Sequence, residues 1–207
     1  MAYQIPTPDT YFSTLLPVLI LASQSPARKE LLEAYGCSVT AIPTHSDEYH
    51  GLIAGKEVVE HLALKKLEVF LNTHGPASVP ILAADTLVGF EGTLIGKAKH
   101  ADEAKSHMAL LAGKTHSVYS GFALWLPPSK SHPERYFHGS DETLVTFRPL
   151  ETEEIEHYIT TNDWLGAAGS YRIQGYANAF IIDVQGDYTT VVGLPIQAIS
   201  AILTEPS

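Results

Sequence analysis

Sulfur and positive charge are what this sequence has least of. A single cysteine, Cys37, stands among 207 residues, so no intramolecular disulfide can form, and a reducing compartment, by default the cytoplasm, is the expected setting. Lys and Arg number 13 against 23 Asp and Glu, for a formal net charge of −10. A nucleic-acid groove needs a basic footprint that releases counterions from phosphates, so binding to a nucleic-acid polymer is not expected. A small anionic ligand stays open, because a few bases gathered locally suffice for it. Long apolar runs are also missing. The stretch from Leu15 to Ala22 carries Pro17, has no basic segment before it and is too short for a bilayer, so neither a signal peptide nor a membrane span is expected. The ten histidines form no His-Glu-x-x-His, and with one cysteine to help them zinc chemistry is not expected. Gly166-Ala-Ala-Gly169 and Gly186-Asp187 lack the spacing of a dinucleotide fingerprint.

What is present is an ordinary globular composition, 45% hydrophobic, enough for one compact domain or two closely packed lobes. Residues 1–14 show no periodicity and read as a loosely held, flexible arm before a single domain over 15–207. A buried strand over 16–22 runs into a helix with Ser25 as N-cap, Pro26 at its first position and Gly36 as its stop. The pattern then predicts a strand over 39–43, an acidic loop at Ser46-Asp47-Glu48, a helix over 56–71 and a short strand over 81–84 ending at Asp85. Two short strands flank Glu91-Gly92 as a hairpin. A helix over 102–112, an alternating strand over 115–126, a loop over 127–135 and a strand over 142–148 follow. A helix entered through Thr152, a glycine-rich segment, strands over 179–184 and 188–192, and a last helix opened by Pro195 complete the chain. Strands and helices interleave around an embedded hairpin. The expected fold class is therefore α/β, a mixed twisted sheet flanked by helices.

Three constellations could carry chemistry. The first is Ala22-Ser23-Gln24-Ser25-Pro26-Ala27-Arg28-Lys29, at a strand-to-helix turn where backbone N–H groups and the positive end of the helix dipole converge. Arg28 and Lys29 sit where that dipole disfavours cations by roughly 0.3–1 kcal/mol when exposed. A bound phosphate would reverse the penalty, whereas an ordinary cap with solvated bases would simply carry it. The second is Lys66, which falls in line with Val59, Leu62, Ala63 and Phe70 on the apolar stripe of its helix and so points inward. It either snorkels its stem or presents a compact charge to a cleft. The third is Asp85 with Lys97, within about one residue of direct pairing if Glu91-Gly92 is the turn. They form a surface ion pair or bind metal and phosphate respectively, and the spacing does not decide between these.

Taken together the segments resemble the Maf family. The matching pieces are Leu-Ala-Ser-Gln-Ser-Pro-Ala-Arg-Lys-Glu-Leu-Leu from Leu21, Asp47-Glu48, Lys66, Ala84-Asp85-Thr86, Gly96-Lys97, the run from Leu111 to Gly121, Ile173-Gln174-Gly175 and Val192-Gly-Leu-Pro195. The resemblance implies two lobes with a central cleft, similar to the inosine triphosphate pyrophosphatases. It also implies metal-dependent hydrolysis of a nucleoside triphosphate to the monophosphate and pyrophosphate, and commonly a homodimer. Carried over by position, Ser23, Ser25 and Arg28 would hold phosphate oxygens. Glu48 and Asp85 would bind Mg2+ or Mn2+ and activate water, with Asp85 the general base. Lys66 and Lys97 would steady the triphosphate, and Gln174 would face the base. A division regulator that binds nucleotide with little turnover is the alternative, against which the two carboxylates and two lysines speak together.

The sequence departs from the pattern of members that prefer dTTP and UTP. Those show Ser-Pro-Arg-Arg and Asp-Lys-Ala-Gly, where this chain has Ser25-Pro26-Ala27-Arg28 and Gly166-Ala167-Ala168-Gly169. The branch associated with 7-methyl-GTP carries Trp at the place of Ala27 and Ser-Glu-Gly at the place of Ile173-Gln174-Gly175. A glutamine amide matches the O4 and N3–H edge of uracil or thymine, so UTP or dTTP is the expected substrate ahead of 7-methyl-GTP, with modified nucleotides the alternative where the lost side chains admit larger bases.

Overall fold

The computed structural model describes residues 3–44 and 55–205. A seven-stranded sheet is built from β1 (Val18–Leu21), β2 (Ser38–Ala41), β3 (Ile81–Phe90), β4 (Thr93–Ile95), β5 (Thr115–Leu126), β6 (Arg135–Phe147) and β7 (Ile181–Gln185). Its order is β2-β1-β3-β5-β6-β7, with β4 hairpinned onto β3. Strand β1 runs parallel to β2 and β3, whereas the β3–β4, β3–β5, β5–β6 and β6–β7 pairs are antiparallel. The helices are α1 (Tyr11–Leu15), α2 (Pro26–Ala34), α3 (Gly55–His74), α4 (Ala101–Leu111), α5 (Thr152–Thr160), α6 (Tyr188–Val192) and α7 (Ile196–Thr204). This is the mixed α/β architecture expected from the sequence.

Period-two alternation on β3 and β5 separates the core into layers. Leu82 and Ala84 join Phe122 and Leu124 in a cluster with α1, α2 and α7. Their neighbours Ile81 and Ala83, with Ala123 and Trp125, face α3 through Ala63, Leu67 and Phe70. Further along the same two strands Val88 and Val118 belong to a third cluster, with α4, α5 and the segment up to β7. The change of cluster falls at Asp85 and Thr86, paired with Gly121 and Ser120. There the lobes part and the cleft opens.

Several sequence expectations change at this level. Helix α1 (Tyr11–Leu15) begins inside the expected arm over 1–14 and runs one residue past it, with Phe12 buried in the core. Asp85 does not end a strand, because β3 continues unbroken to Phe90 and only its polar pair at the cleft interrupts the apolar run. Strand β6 starts at Arg135, seven residues earlier than its pattern suggested. Tyr188–Val192, read as a strand from its β-branched residues, is helix α6. The Asp187 carboxylate accepts from the Thr189 amide at its start, and Gly193 closes it in the left-handed conformation.

Candidate active site

The site begins with the turn from β1 into α2. Ser25 caps the helix, accepting from the Arg28 amide, and Pro26 fills the first helical position. The Ser23 hydroxyl accepts from the Ser25 amide at 3.2 Å and from the Arg28 guanidinium at 2.9 Å. Arg28 is 8% exposed. Its Nε donates to the Gly193 carbonyl at 2.7 Å, Nη1 also to the Ala84 carbonyl at 3.0 Å, and Nη2 to Thr86 Oγ1 at 2.9 Å. Burial pushes the guanidinium below its ordinary range, and the Asp85 charge opposes that shift; an arginine stays protonated regardless. Arg28, which the resemblance made a ligand of phosphate oxygens, lines the cleft but is buried, and these bonds join α2, β3 and the loop after α6.

On the other face of β3, Asp85 points to α3 and pairs with Lys66. The side chains are 16% and 19% exposed respectively. Gly121 makes the pairing feasible: it lies opposite Asp85, and a Cβ there would come within 2.3 Å of the Val59 backbone. With no side chain at that point, α3 settles onto the sheet and Lys66 reaches the cleft. Burial pushes the Lys66 ammonium down, Asp85 holds it up, and Arg28 and Lys97 push it down again.

Of the sequence-predicted residues, Ser23, Ser25, Arg28, Lys66, Asp85, Lys97 and Gln174 all line one cleft of about 470 Å³. Glu48 lies outside the described residues. The expected pairing of Asp85 with Lys97 is replaced by Asp85 with Lys66, because β4 stops at Ile95 and Lys97 instead bridges to Ala168. Among the described residues no three His, Cys, Asp or Glu side chains gather as a metal cluster.

Sequence reasoning assigned no role to Thr86, Ser120 or Arg172. Thr86 Oγ1 meets Ser120 Oγ at 2.9 Å, and Ser120 donates to the Thr190 carbonyl at 2.7 Å, tying the clamp to α6. Both sit in recognised motifs, and only their pairing across β3 and β5 reveals the role. Arg172 lines the cleft from the segment before Gln174, where no pattern signalled it.

Among the described residues the arrangement offers one carboxylate, two lysines and a helix N-terminus around one cleft, which suits a polyphosphate. The model of the family described as "Maf-like protein" matches residues 18–206. The chain belongs to this family. A dTTP/UTP pyrophosphatase of Bacillus cytotoxicus is 43% identical over 178 residues, covering 86% of this chain and 89% of that protein. A dTTP/UTP pyrophosphatase of Pyrococcus abyssi is 38% identical over 186 residues, covering 90% and 95%. A third, from Bacillus cereus, is 41% identical over 179 residues, covering 86% and 90%. At 14% identity and a TM-score of 0.39, a solved nucleoside-triphosphatase / dITP/XTP pyrophosphatase of Mycobacterium abscessus is too distant to bear on the fold.

Proposed function

We propose that the protein is a nucleoside triphosphate pyrophosphatase that cleaves UTP or dTTP between the α and β phosphates. The observation that carries the proposal is Asp85, held by Lys66 in a cleft walled by the Ser23–Arg28 turn, in a chain whose relatives are dTTP/UTP pyrophosphatases.

Each residue has a task that its surroundings suit. Lys66 and Lys97 supply point charges to the phosphate oxygens, where negative charge builds as water attacks phosphorus. Lys66 binds one oxygen of Asp85, which orients the carboxylate and leaves its second oxygen to take a proton from the attacking water. The Ser23 and Ser25 hydroxyls and the N-terminal end of α2 face phosphate. Arg28 fixes the turn on which they stand.

A carboxylate beside a polyphosphate suits a divalent cation, and Asp85 lines the cleft. Mg2+ takes one or two carboxylates together with substrate phosphates and water, so Asp85, with Glu48 from the segment outside the described residues, would hold Mg2+ or Mn2+. When bound, such a cation neutralises phosphate charge and makes water more acidic. Gln174 lines the same cleft from the segment that carries Arg172 and reads the base edge through its amide.

The test is pyrophosphate release from UTP, dTTP, CTP and 7-methyl-GTP, with and without Mg2+, Mn2+ or a chelator. Pyrophosphate from UTP and dTTP that disappears with chelator is expected. Tight binding of UTP without turnover in any metal would overturn the hydrolase reading in favour of a nucleotide-binding regulator.

A further inference from the structure

Among the described residues four cations line the cleft, and three of them interact around Asp85 and Lys66. Arg28 gives four of its five N–H groups to protein acceptors, Lys66 pairs with Asp85, and the Lys97 charge reaches Lys66. Arg172 enters the cleft from another part of the chain, the segment after α5, where it is tied to the Asp163 and Leu165 carbonyls. It sits two residues before Gln174, on the wall assigned to the nucleobase.

The Arg172 guanidinium is held in place. Nη1 donates to the Asp163 carbonyl and Nη2 to the Leu165 carbonyl, and Asp163 Oδ1 lies 3.6 Å from Nη1. Asp163 is itself pinned, because its Oδ2 accepts from the Tyr176 amide at 2.9 Å. A Cβ at Gly175 would lie 2.2 Å from that oxygen, so only glycine admits the carboxylate there. Two of five guanidinium N–H groups are thereby tied to carbonyls, and the side chain, 28% exposed, lines the cleft. The adjoining segment leaves it room. A Cβ at Gly166 would be 3.8 Å from Nη2, and neither Gly166 nor Ala167 carries a polar group to engage the remaining donors.

We infer that Arg172 is a specificity-determining residue that donates a hydrogen bond to the carbonyl at position 4 of a uracil or thymine base. This rests on the nucleotide reading of the cleft given above. Uracil and thymine offer an acceptor at position 4, whereas cytosine offers an amino donor there, which would face the guanidinium donor to donor. A fixed arginine fork loses little freedom on making such a bond.

The experiment compares wild type, Arg172→Met and Arg172→Lys by calorimetric binding of α,β-imido-UTP and α,β-imido-CTP, alongside kcat/KM for UTP and CTP. Methionine keeps the length of the stem and removes every donor; lysine keeps the charge and loses the fork. The wild type should favour the uracil nucleotide, and Arg172→Met should weaken uracil binding by roughly 10- to 200-fold while changing cytosine binding by less than about threefold. Arg172→Lys should fall between them. Equal weakening of both nucleotides, in either variant, would overturn the inference and mark Arg172 as a loop tether or a phosphate ligand. Base-selective binding without turnover would count against the hydrolase reading and leave the base contact standing, so the two failures are distinct.

Discussion

Replacing Arg28 by alanine separates a structural clamp from a substrate ligand. The guanidinium bridges acceptors on three elements: Gly193 beyond α6, Ala84 and Thr86 on β3, and Ser23 at the end of β1. Hydrogen bonds to charged groups contribute about 1.5–3 kcal/mol each, and truncation leaves their buried partners unsatisfied. The vacated space opens on the cleft, so water recovers part of that loss. A net cost of about 3–5 kcal/mol is expected, a large share of the roughly 5–15 kcal/mol that holds a domain together. For a chain of this size that lowers Tm by roughly 6–20 °C. Arg28→Lys should recover less than half, since one ammonium cannot span acceptors on separate elements. Circular dichroism melting and urea unfolding, each read at pH 7, provide the measurement. An unchanged Tm with a raised KM for UTP would refute the reasoning and return Arg28 to the role of a solvated phosphate ligand.

Asp85→Asn should cut kcat by roughly 10²–10⁴-fold while circular dichroism shows a folded protein, because the amide keeps the shape and loses the proton acceptor; near-wild-type turnover would remove Asp85 from the chemistry. The kcat/KM profile should fall on its alkaline side below the ordinary lysine range, because burial holds Lys66 down. Asp85→Asn should move that limb lower still, since it removes the charge that opposes the shift. Gly121→Ala should lower both Tm and kcat, by about 1–3 kcal/mol in stability, because its methyl meets the Val59 backbone and lifts the helix that carries Lys66. Burial pushes His116 from 6.5 to about 4. The unfolded chain therefore takes up the proton first, and stability should be lost as pH falls from about 6.5 toward 4; His116→Phe should flatten that slope in urea titrations at pH 4.5 and pH 7.

Much of the site was legible because its residues obey local rules. Ser25 and Pro26 announce a helix start through capping chemistry, and the inward lysine betrays itself by sitting on the stripe of Val59 and Phe70. Strand β5 was legible to its last residue, since its apolar run lies between turn signals. What was not legible depends on neighbours distant in sequence. Asp85 looked like the end of a strand because a polar pair interrupts an apolar run, yet that pair marks where two lobes part along one continuous strand. Its partner could not be chosen from hairpin spacing, because Lys66 arrives from another helix through the gap at Gly121. Tyr188–Val192 has strand-like residues, and only the Asp187 cap and Gly193 make it a helix. The burial of Arg28 was hidden because its acceptors come from β3 and from the loop after α6.

Hydrolysis of UTP in 18O-labelled water with Mg2+ tests most directly the proposed attack of water on the α-phosphorus of a uracil or thymine nucleotide. Mass spectrometry of the first products should show UMP and pyrophosphate in equal amounts with the label in UMP. Label in pyrophosphate would place the attack on the β-phosphorus, and UDP with orthophosphate would contradict the reaction class altogether.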